Sequence, residues 1–485
     1  MPMLYVLALL PIVILIVVSL LWGVKEAALW GSVVTTGLFF YWGAPVAQYL
    51  AVLSISALST LNILMIVFGA LFLYNIMRGT GMIQQISHSL EEVHPAKEIR
   101  FFLLAFCLTA FFEGVAGFGT PGAIVPLLLM TMGYDAVVSV TVVLLFDGLF
   151  STFGAVGTPL VTGIQAHLHL PHRQIQSLSL IAAVVGVLVE AVLLLFVFRF
   201  LAKANAPVQR KGKVLVLYLF FAVPFCVYAW LVPDLATVLA ALTMLVLSVF
   251  YLKDKQTKLD LRPWIPYAVL AGLLMLPKVW GGLKSLISWE LVFPDIAGTH
   301  LHASLTPLLS PLVPFVLVGL GVAFLKKSRS LYLGQVGQKT LGVSLVLFPT
   351  IMIAQLMIHS GTEQPSMVKH ISSLMGNLQS HYVLIAPYLG ILGSFITGST
   401  TVSNVVFGPS QYETAQLLGS NPTVILALQL IGASLGNAIC LFNIVAAASI
   451  ANLKNYKQVL ALNLAPTLLA GLLAGGLGWL LLTLL

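Results

Sequence analysis

One apolar stretch constrains this chain more than any other, because it has the composition of a membrane helix and is built not to remain one. Phe101 to Met132 reads FFLLAFCLTAFFEGVAGFGTPGAIVPLLLMTM, with Gly114, Gly117, Gly119, Pro121 and Gly122 breaking it and Glu113 at the break. Glycine reaches positive φ at no steric cost and Pro121 removes a backbone donor, so a helix entering from Phe101 must unwind near Gly117. Thr120 reads as the N-cap of a second half-helix with Pro121 at its first position. Unwound backbone survives in hydrocarbon only when buried in protein or lining a wet cavity. The break is therefore either a kink in a structural helix or a substrate or ion site at a half-helix tip, and the second reading leads.

Composition fixes the class. The 485-residue chain is 59% hydrophobic and 8% charged, and apolar runs of about 20 residues, the length that crosses hydrocarbon, recur throughout. This is an all-α polytopic membrane protein; a soluble reading would need an outsized core. The formal charge of +8 falls in short loops between spans, which fits the positive-inside rule and implies no nucleic-acid partner. Cys107, Cys226 and Cys440 lie in apolar segments at no metal-ligand spacing. Met3 to Trp22 lacks a basic leader and is followed by Lys25, as suits a retained span with its N-terminus outside.

Spans are expected near 3–22, 27–43 and 60–77, with Gln48 to Ser59 as a polar interfacial connection. Others follow near 136–163, 177–201, 214–232, 235–251, 263–280, 306–325, 340–359, 422–450 and 459–485, with a second broken stretch at 380–410. The 32 residues from Phe101 to Met132 are too few for two full crossings at ~1.5 Å per residue. If both broken stretches dip in and return to the side they left, the inside loops hold nineteen of the 23 Lys and Arg. That total includes Lys253, Lys255, Lys258, Arg329 and Lys454. If the first crosses once, the basic loops at 199–213, 253–262 and 326–339 land outside. The expectation is therefore two re-entrant helical hairpins and about twelve crossings.

The order span, polar loop, broken stretch, Gly-interrupted span, long span occurs at 60–201 and again at 340–485, with the two hairpins entering from opposite sides. This predicts an inverted-topology repeat of the secondary-transporter kind, with its site at midplane. The expected organisation is N-terminal spans 1–59, first repeat 60–201 with hairpin 101–132, connecting spans 202–339, and second repeat 340–485 with hairpin 380–410. Asp147-Gly148 with Gly154 to Pro159, and Gly432, Gly436-Asn437 and Asn443, read as unwound partners facing the two tips.

From Glu113 to Pro121, EGVAGFGTP, the chain resembles the lactate permease family of bacterial monocarboxylate transporters. The likeness continues through FGAVGTP (Phe153 to Pro159), RPWIPY (Arg262 to Tyr267) and FITGSTTVSN (Phe395 to Asn404), and so covers most of the chain. The resemblance implies uptake of lactate, glycolate or related 2-hydroxy acids by proton symport through the cytoplasmic (inner) membrane. It also implies kinship with the ion transporter superfamily, in which paired re-entrant hairpins carry the substrate and a transport domain moves against a scaffold. The chain departs from the family pattern at Thr400, where an Asp is usual, at Asn437, where a Lys is usual nearby, and at Asp147, where an Asn is common.

A carboxylate substrate needs electropositive contacts, yet no Lys or Arg lies in either hairpin core. Half-helix N-termini, worth roughly half a positive charge each, can supply them together with exposed amides. The candidate substrate contacts are Gly117, Phe118, Gly119 and Thr120 at the first tip, and Thr397, Gly398, Ser399, Thr400, Thr401, Ser403 and Asn404 at the second, with Asn437. Of fifteen acids, Glu113, Asp147 and Glu190 sit well inside apolar segments, where an ionised side chain costs on the order of 3 kcal/mol. Glu113 and Asp147 adjoin the first repeat's breaks, so one of them is the expected carrier of a coupled proton. Glu190 reads equally well as a structural acid.

Other signals carry less. Gly117 to Gly122 fits G-x-G-x-x-G without a βαβ context, so no dinucleotide site or other cofactor is expected. His167, His169 and His172 read as a solvated loop rather than a metal site. Gly471 to Gly475 reads as close helix packing. No HExxH, GxSxG or Walker pattern occurs, which disfavours an enzyme or primary pump. The alternative to proton-coupled monocarboxylate import is a sodium-coupled carrier of another organic anion, drawing on the Ser, Thr and Asn oxygens at the tips. The oligomeric state, a homodimer included, is not set by the sequence.

Overall fold

The structure, a computed structural model, describes residues 2–91, 93–117, 119–168, 170–252, 262–328, 330–362, 364–453 and 455–484. Phe118, His169, Lys253, Lys255, Lys258, Arg329 and Lys454 lie outside the described residues. The chain opens with α1 (Pro2–Trp22), α2 (Val24–Tyr41) and α3 (Val46–Gly79), then the short amphipathic α4 (Met82–Glu91). The first broken stretch comprises α5 (Lys97–Phe102), a π-helical turn Leu103–Leu108, α6 (Thr109–Val115) and α7 (Thr120–Thr131). Next come α8 (Ala136–Phe150), α9 (Gly154–Leu160), a second π-turn Val161–Gln165, α10 (Ala166–Leu168) and the long α11 (His172–Lys203).

The middle of the chain is α12 (Lys211–Leu231), α13 (Ala236–Leu252), α14 (Ile265–Val279), α15 (Gly281–Ile287), a small antiparallel pair Leu291–Phe293 with Ala303–Leu305, and α16 (Leu312–Leu325). The last part repeats the opening order: α17 (Leu333–Ile358), the short amphipathic α18 (Met367–Gly376), a broken pair α19 (Tyr382–Thr397) and α20 (Thr400–Leu417), a second broken pair α21 (Pro422–Gly436) and α22 (Leu441–Ile450), and the long α23 (Tyr456–Leu484).

Among the described residues, ten helices are long and apolar enough to cross a membrane, or up to eleven if the pair bent by 94° after α14 counts as one. This is below the expected twelve or so. α2 begins with Lys25 and Glu26, and α16 has only 14 residues. The expected interfacial connection from Gln48 to Ser59 is instead continuous helix within the 34-residue α3. Its polarity is absorbed locally, because Ser54, Ser56 and Thr60 donate to the carbonyls of Leu50, Val52 and Ser56 one turn back. The second broken stretch also runs beyond 410, to Leu417.

Each broken stretch folds back on itself. In the first, the far end returns to the near end: the Tyr134 hydroxyl donates to the Lys97 carbonyl at 3.3 Å, the Lys97 ammonium lies 4.6 Å from the Tyr134 ring centre, and the Phe101 and Tyr134 rings are 4.5 Å apart. Burial and the neighbouring Glu98 charge push the Tyr134 phenol up to about 12, so it stays a donor. In the second, the Tyr382 hydroxyl at the start of α19 donates to Gln411 Oε1, near the end of α20, at 2.7 Å.

Packing is reciprocal between the two halves. α3 packs on α17, α8 on α23, and α11 on α21; α7 meets α22, and α20 meets the π-turn after α9. A Cβ at Gly390 or Gly432 would collide with the backbone of the facing helix, so α19 and α21 touch main chain to main chain.

Candidate functional site

The site is assembled from four interrupted helices. At the first tip, Gly117 (φ 57°) and Gly119 (φ 76°) are left-handed. Gly119 rather than Thr120 is the N-cap of α7, because glycine takes the left-handed conformation freely; its carbonyl accepts from Ala123 N–H at 3.2 Å and no side chain caps the helix. At the second tip, Gly398 (φ 71°) ends α19, and the Ser399 hydroxyl caps α20 by accepting from Val402 N–H at 3.3 Å.

The span beginning with α8 breaks at Ala155, Val156 and Gly157, which are all left-handed, and helical geometry resumes at Thr158. A β-branched Val at φ 54° is a strained position, costing about 1–3 kcal/mol. The break is held from outside by the turn between α12 and α13, since a side chain at Gly157 would strike Asp234. The span of α21 and α22 is interrupted from Asn437 to Cys440.

These breaks surround one small, mostly closed cavity. It is lined by Glu113, Gly119, Gly154, Ala155, Pro159, Gly398, Ser399, Thr400, Thr401, Asn437 and Asn443. Gly119, Pro159, Ser399 to Thr401 and Asn443 belong to first turns, so four helix N-terminal ends converge there, beside the C-terminal ends of α6, α19 and α21 at Glu113, Gly398 and Asn437. The amides and dipoles of the N-terminal ends favour an anion without any Lys or Arg in the lining.

Glu113 is the acid on the cavity wall, buried, with its Oε1 against the backbone of Gly154. Behind it lies Asp147, also buried, and the two carboxyl groups are neighbours. Two carboxylates are both acceptors, so a proton on one of them is what lets such neighbours bond to each other. Glu113 Oε2 and Asp147 Oδ1 have no partner among the described residues.

Of the residues expected from sequence, Glu113, Gly119, Gly398, Ser399, Thr400, Thr401 and Asn437 reach the cavity. Gly117 packs on Ala155, and Thr120 lies buried in the first turn of α7. Thr397 donates back to the Gly393 carbonyl at 2.8 Å, and Ser403 bridges the hairpin arms to the Gly390 carbonyl at 2.9 Å. Asn404 donates to the Pro159 carbonyl at 3.1 Å and accepts from Gln429 at 3.2 Å.

Gly154, Ala155, Pro159 and Asn443, read from the sequence as parts of the unwound partners facing the tips but not as substrate contacts, line the cavity too. Glu190 is buried in α11 away from the lining. His167 faces Gln355 of α17 at 2.7 Å. Among the described residues no group of His, Cys, Asp and Glu could hold a metal ion.

L-lactate permease matches over residues 5–264 and 303–485. The chain belongs to the L-lactate permease family. Curated relatives include the L-lactate permeases of Bacillus subtilis (strain 168), 25% identical over 77% of this chain and 76% of that protein, and of Streptococcus iniae, 24% identical over 74% and 79%. The L-lactate permease of Escherichia coli (strain K12) is 23% identical over 77% and 76%.

Members of this family are permeases rather than enzymes, and this member is a multi-pass membrane protein, a placement that in bacteria means the inner membrane. The unmatched residues 265–302 comprise α14, α15 and the strand at Leu291–Phe293. Two departures from the family pattern noted above prove to be neighbours: Asn437 Nδ2 donates to Thr400 Oγ1 at 3.0 Å on the cavity wall.

Proposed function

We propose that this permease is a secondary active transporter that imports L-lactate or a related 2-hydroxy monocarboxylate such as glycolate together with a proton. The observation that carries the reading is a single cavity in which four helix N-terminal ends face a buried carboxyl pair, with no fixed cation in its lining. The helix ends hold the substrate carboxylate. Ser399, Thr400, Thr401, Asn437 and Asn443 orient it. The Glu113–Asp147 pair carries the coupled proton, so that anion and proton enter together and the loaded site approaches neutrality.

In this reading 60–201 and 340–485 form an inverted repeat. The folded-back stretches α5–α7 and α19–α20 are re-entrant hairpins, and about twelve segments cross the bilayer. Support comes from the repeated element order and the reciprocal packing of the two halves. The hairpins and their broken partners move as a transport domain against a scaffold that includes α1–α3, α16 and α17.

The test is uptake of labelled L-lactate into proteoliposomes under an inward proton gradient without sodium. Accumulation that an uncoupler abolishes is expected; absence of any proton-driven accumulation overturns proton coupling. A second reading, sodium-coupled transport of another organic anion, draws on the neutral oxygens of the lining, and accumulation that needs added sodium would favour it.

A further inference from the structure

Buried helical hydroxyls in this protein mostly bond back to a carbonyl one turn earlier, as Thr35, Ser56, Thr60, Ser179 and Thr414 do. Thr109, Thr152 and Ser248 do not, and neither do Thr141 of α8 and Thr467 of α23. Both are essentially inaccessible, and neither hydroxyl has a partner among the described residues. Linking α23 to α8 is Asn463, fully buried, whose Nδ2 donates to the Thr141 carbonyl at 3.2 Å and to the Ala438 carbonyl at 3.0 Å. Its Oδ1 is likewise without a partner. Asn463 and Thr467 are one turn apart and share the buried face of α23. Pro466 in that turn carries no N–H for the Leu462 carbonyl, which leaves a further oxygen without its helical donor.

This place adjoins the cavity at the α21 break, where Asn437 caps α21 and reaches the lining. Ala438 follows directly on the C-terminal end of α21, where carbonyls and the helix dipole present negative potential. Thr141, Ala438, Asn463 and Thr467 are not among the cavity-lining residues. Leaving several buried oxygens without donors is costly, and hydroxyl, amide and carbonyl oxygens at a half-helix C-terminus form the donor set of a hard monovalent cation. No carboxylate is present to favour a divalent ion.

We propose that Thr141 Oγ1, Asn463 Oδ1 and Thr467 Oγ1, with backbone carbonyls at the α21 break, form a sodium site between α8 and α23. The ion ties the break of the second repeat to α8 of the first, and the site stands independently of which substrate the cavity takes.

The experiment is thermal unfolding of the purified full-length permease in detergent, in sodium chloride and in choline chloride at equal ionic strength. Binding to the native state raises the midpoint in a saturable way, by several degrees at about 100 mM salt if the dissociation constant is in the low millimolar range. Thr141→Val and Thr467→Val remove one oxygen each without changing side-chain size, so both should unfold at or above the wild-type midpoint in choline and lose the sodium increment. Thr467→Ser should retain it. No sodium increment in the wild type, or an increment unchanged in Thr141→Val and Thr467→Val, overturns the site and leaves these oxygens to water. Because the readout is unfolding rather than uptake, failure of the lactate assay does not bear on it.

Discussion

The two folded-back helical pairs have the same outline and opposite interiors. The first is filled with rings: Phe106, in the π-turn, lies 4.9 Å from Phe102, 5.0 Å from Phe146, 4.8 Å from Phe150 and 5.2 Å from Phe221. Its polarity is concentrated in Glu113, against Asp147 of the next helix.

The second is threaded by a closed amide network. Tyr382 donates to Gln411; Gln411 Nε2 donates to Gln429 Oε1 at 2.7 Å and to the Ala386 carbonyl at 2.8 Å; Gln429 reaches Asn404, and Asn404 reaches Pro159 of α9. None of those side chains changes charge near neutral pH. Under the proposed proton-coupled import, the contrast is a division of labour: the aromatic pair isolates a protonatable group, while the amide-laced pair holds a capped, uncharged tip at fixed geometry for the anion.

The largest effect should come from removing the protonatable end of that contrast. Glu113→Gln and Asp147→Asn are each expected to abolish proton-driven accumulation of lactate, a loss of at least tenfold, while counterflow exchange between preloaded and external substrate persists. Amide variants that both keep full accumulation would erase the functional difference between the two pairs.

Next in size is stability. Phe106→Ala opens a void among four rings and should cost about 3–5 kcal/mol. Gln429→Leu strands Gln411 and Asn404 and should cost about 1–3 kcal/mol. Chemical unfolding in detergent measures both, and a Gln429→Leu cost exceeding that of Phe106→Ala would mean that the network, rather than the ring cluster, is the main packing element.

How much of this was legible depended on whether the cause was local. Gly117, Gly119, Pro121 and Gly398 break helices through their own backbone chemistry, so both tips could be read from the chain, as could the acids stranded in apolar sequence. The N-cap moved from Thr120 to Gly119, a one-residue shift that only the φ of Gly119 decides. The continuity of α3 across Gln48 to Ser59 was hidden because Ser and Thr look polar in composition while bonding to their own helix.

The amide network was not legible. Gln411 and Gln429 are 18 residues apart, and Asn404 and Pro159 are 245 apart, and no periodicity announces a contact at such separations. Asn404 and Ser403 therefore looked like substrate contacts when their bonds run to the Pro159 and Gly390 carbonyls. Likewise Thr400 and Asn437 stood out separately as departures, and only their 3.0 Å contact makes them a pair.

The smallest expected effect tests whether the network is closed at its base. Each folded-back pair has a tyrosine near its open end, Tyr134 in one and Tyr382 in the other. Tyr134 donates to the Lys97 carbonyl at the edge of the fold, where water can replace a lost donor, so Tyr134→Phe should change stability by less than about 0.5 kcal/mol. Tyr382 is buried, and its partner Gln411 is fully buried with its Nε2 already shared between Gln429 and Ala386. Tyr382→Phe therefore leaves Gln411 Oε1 without this donor and should cost about 1 kcal/mol or slightly more. Combining Tyr382→Phe with Gln411→Leu should cost less than the sum of the two single changes, because both remove the same bond. Strict additivity in that cycle would show that Tyr382 and Gln411 act independently, and the second pair would then be held by its arms alone.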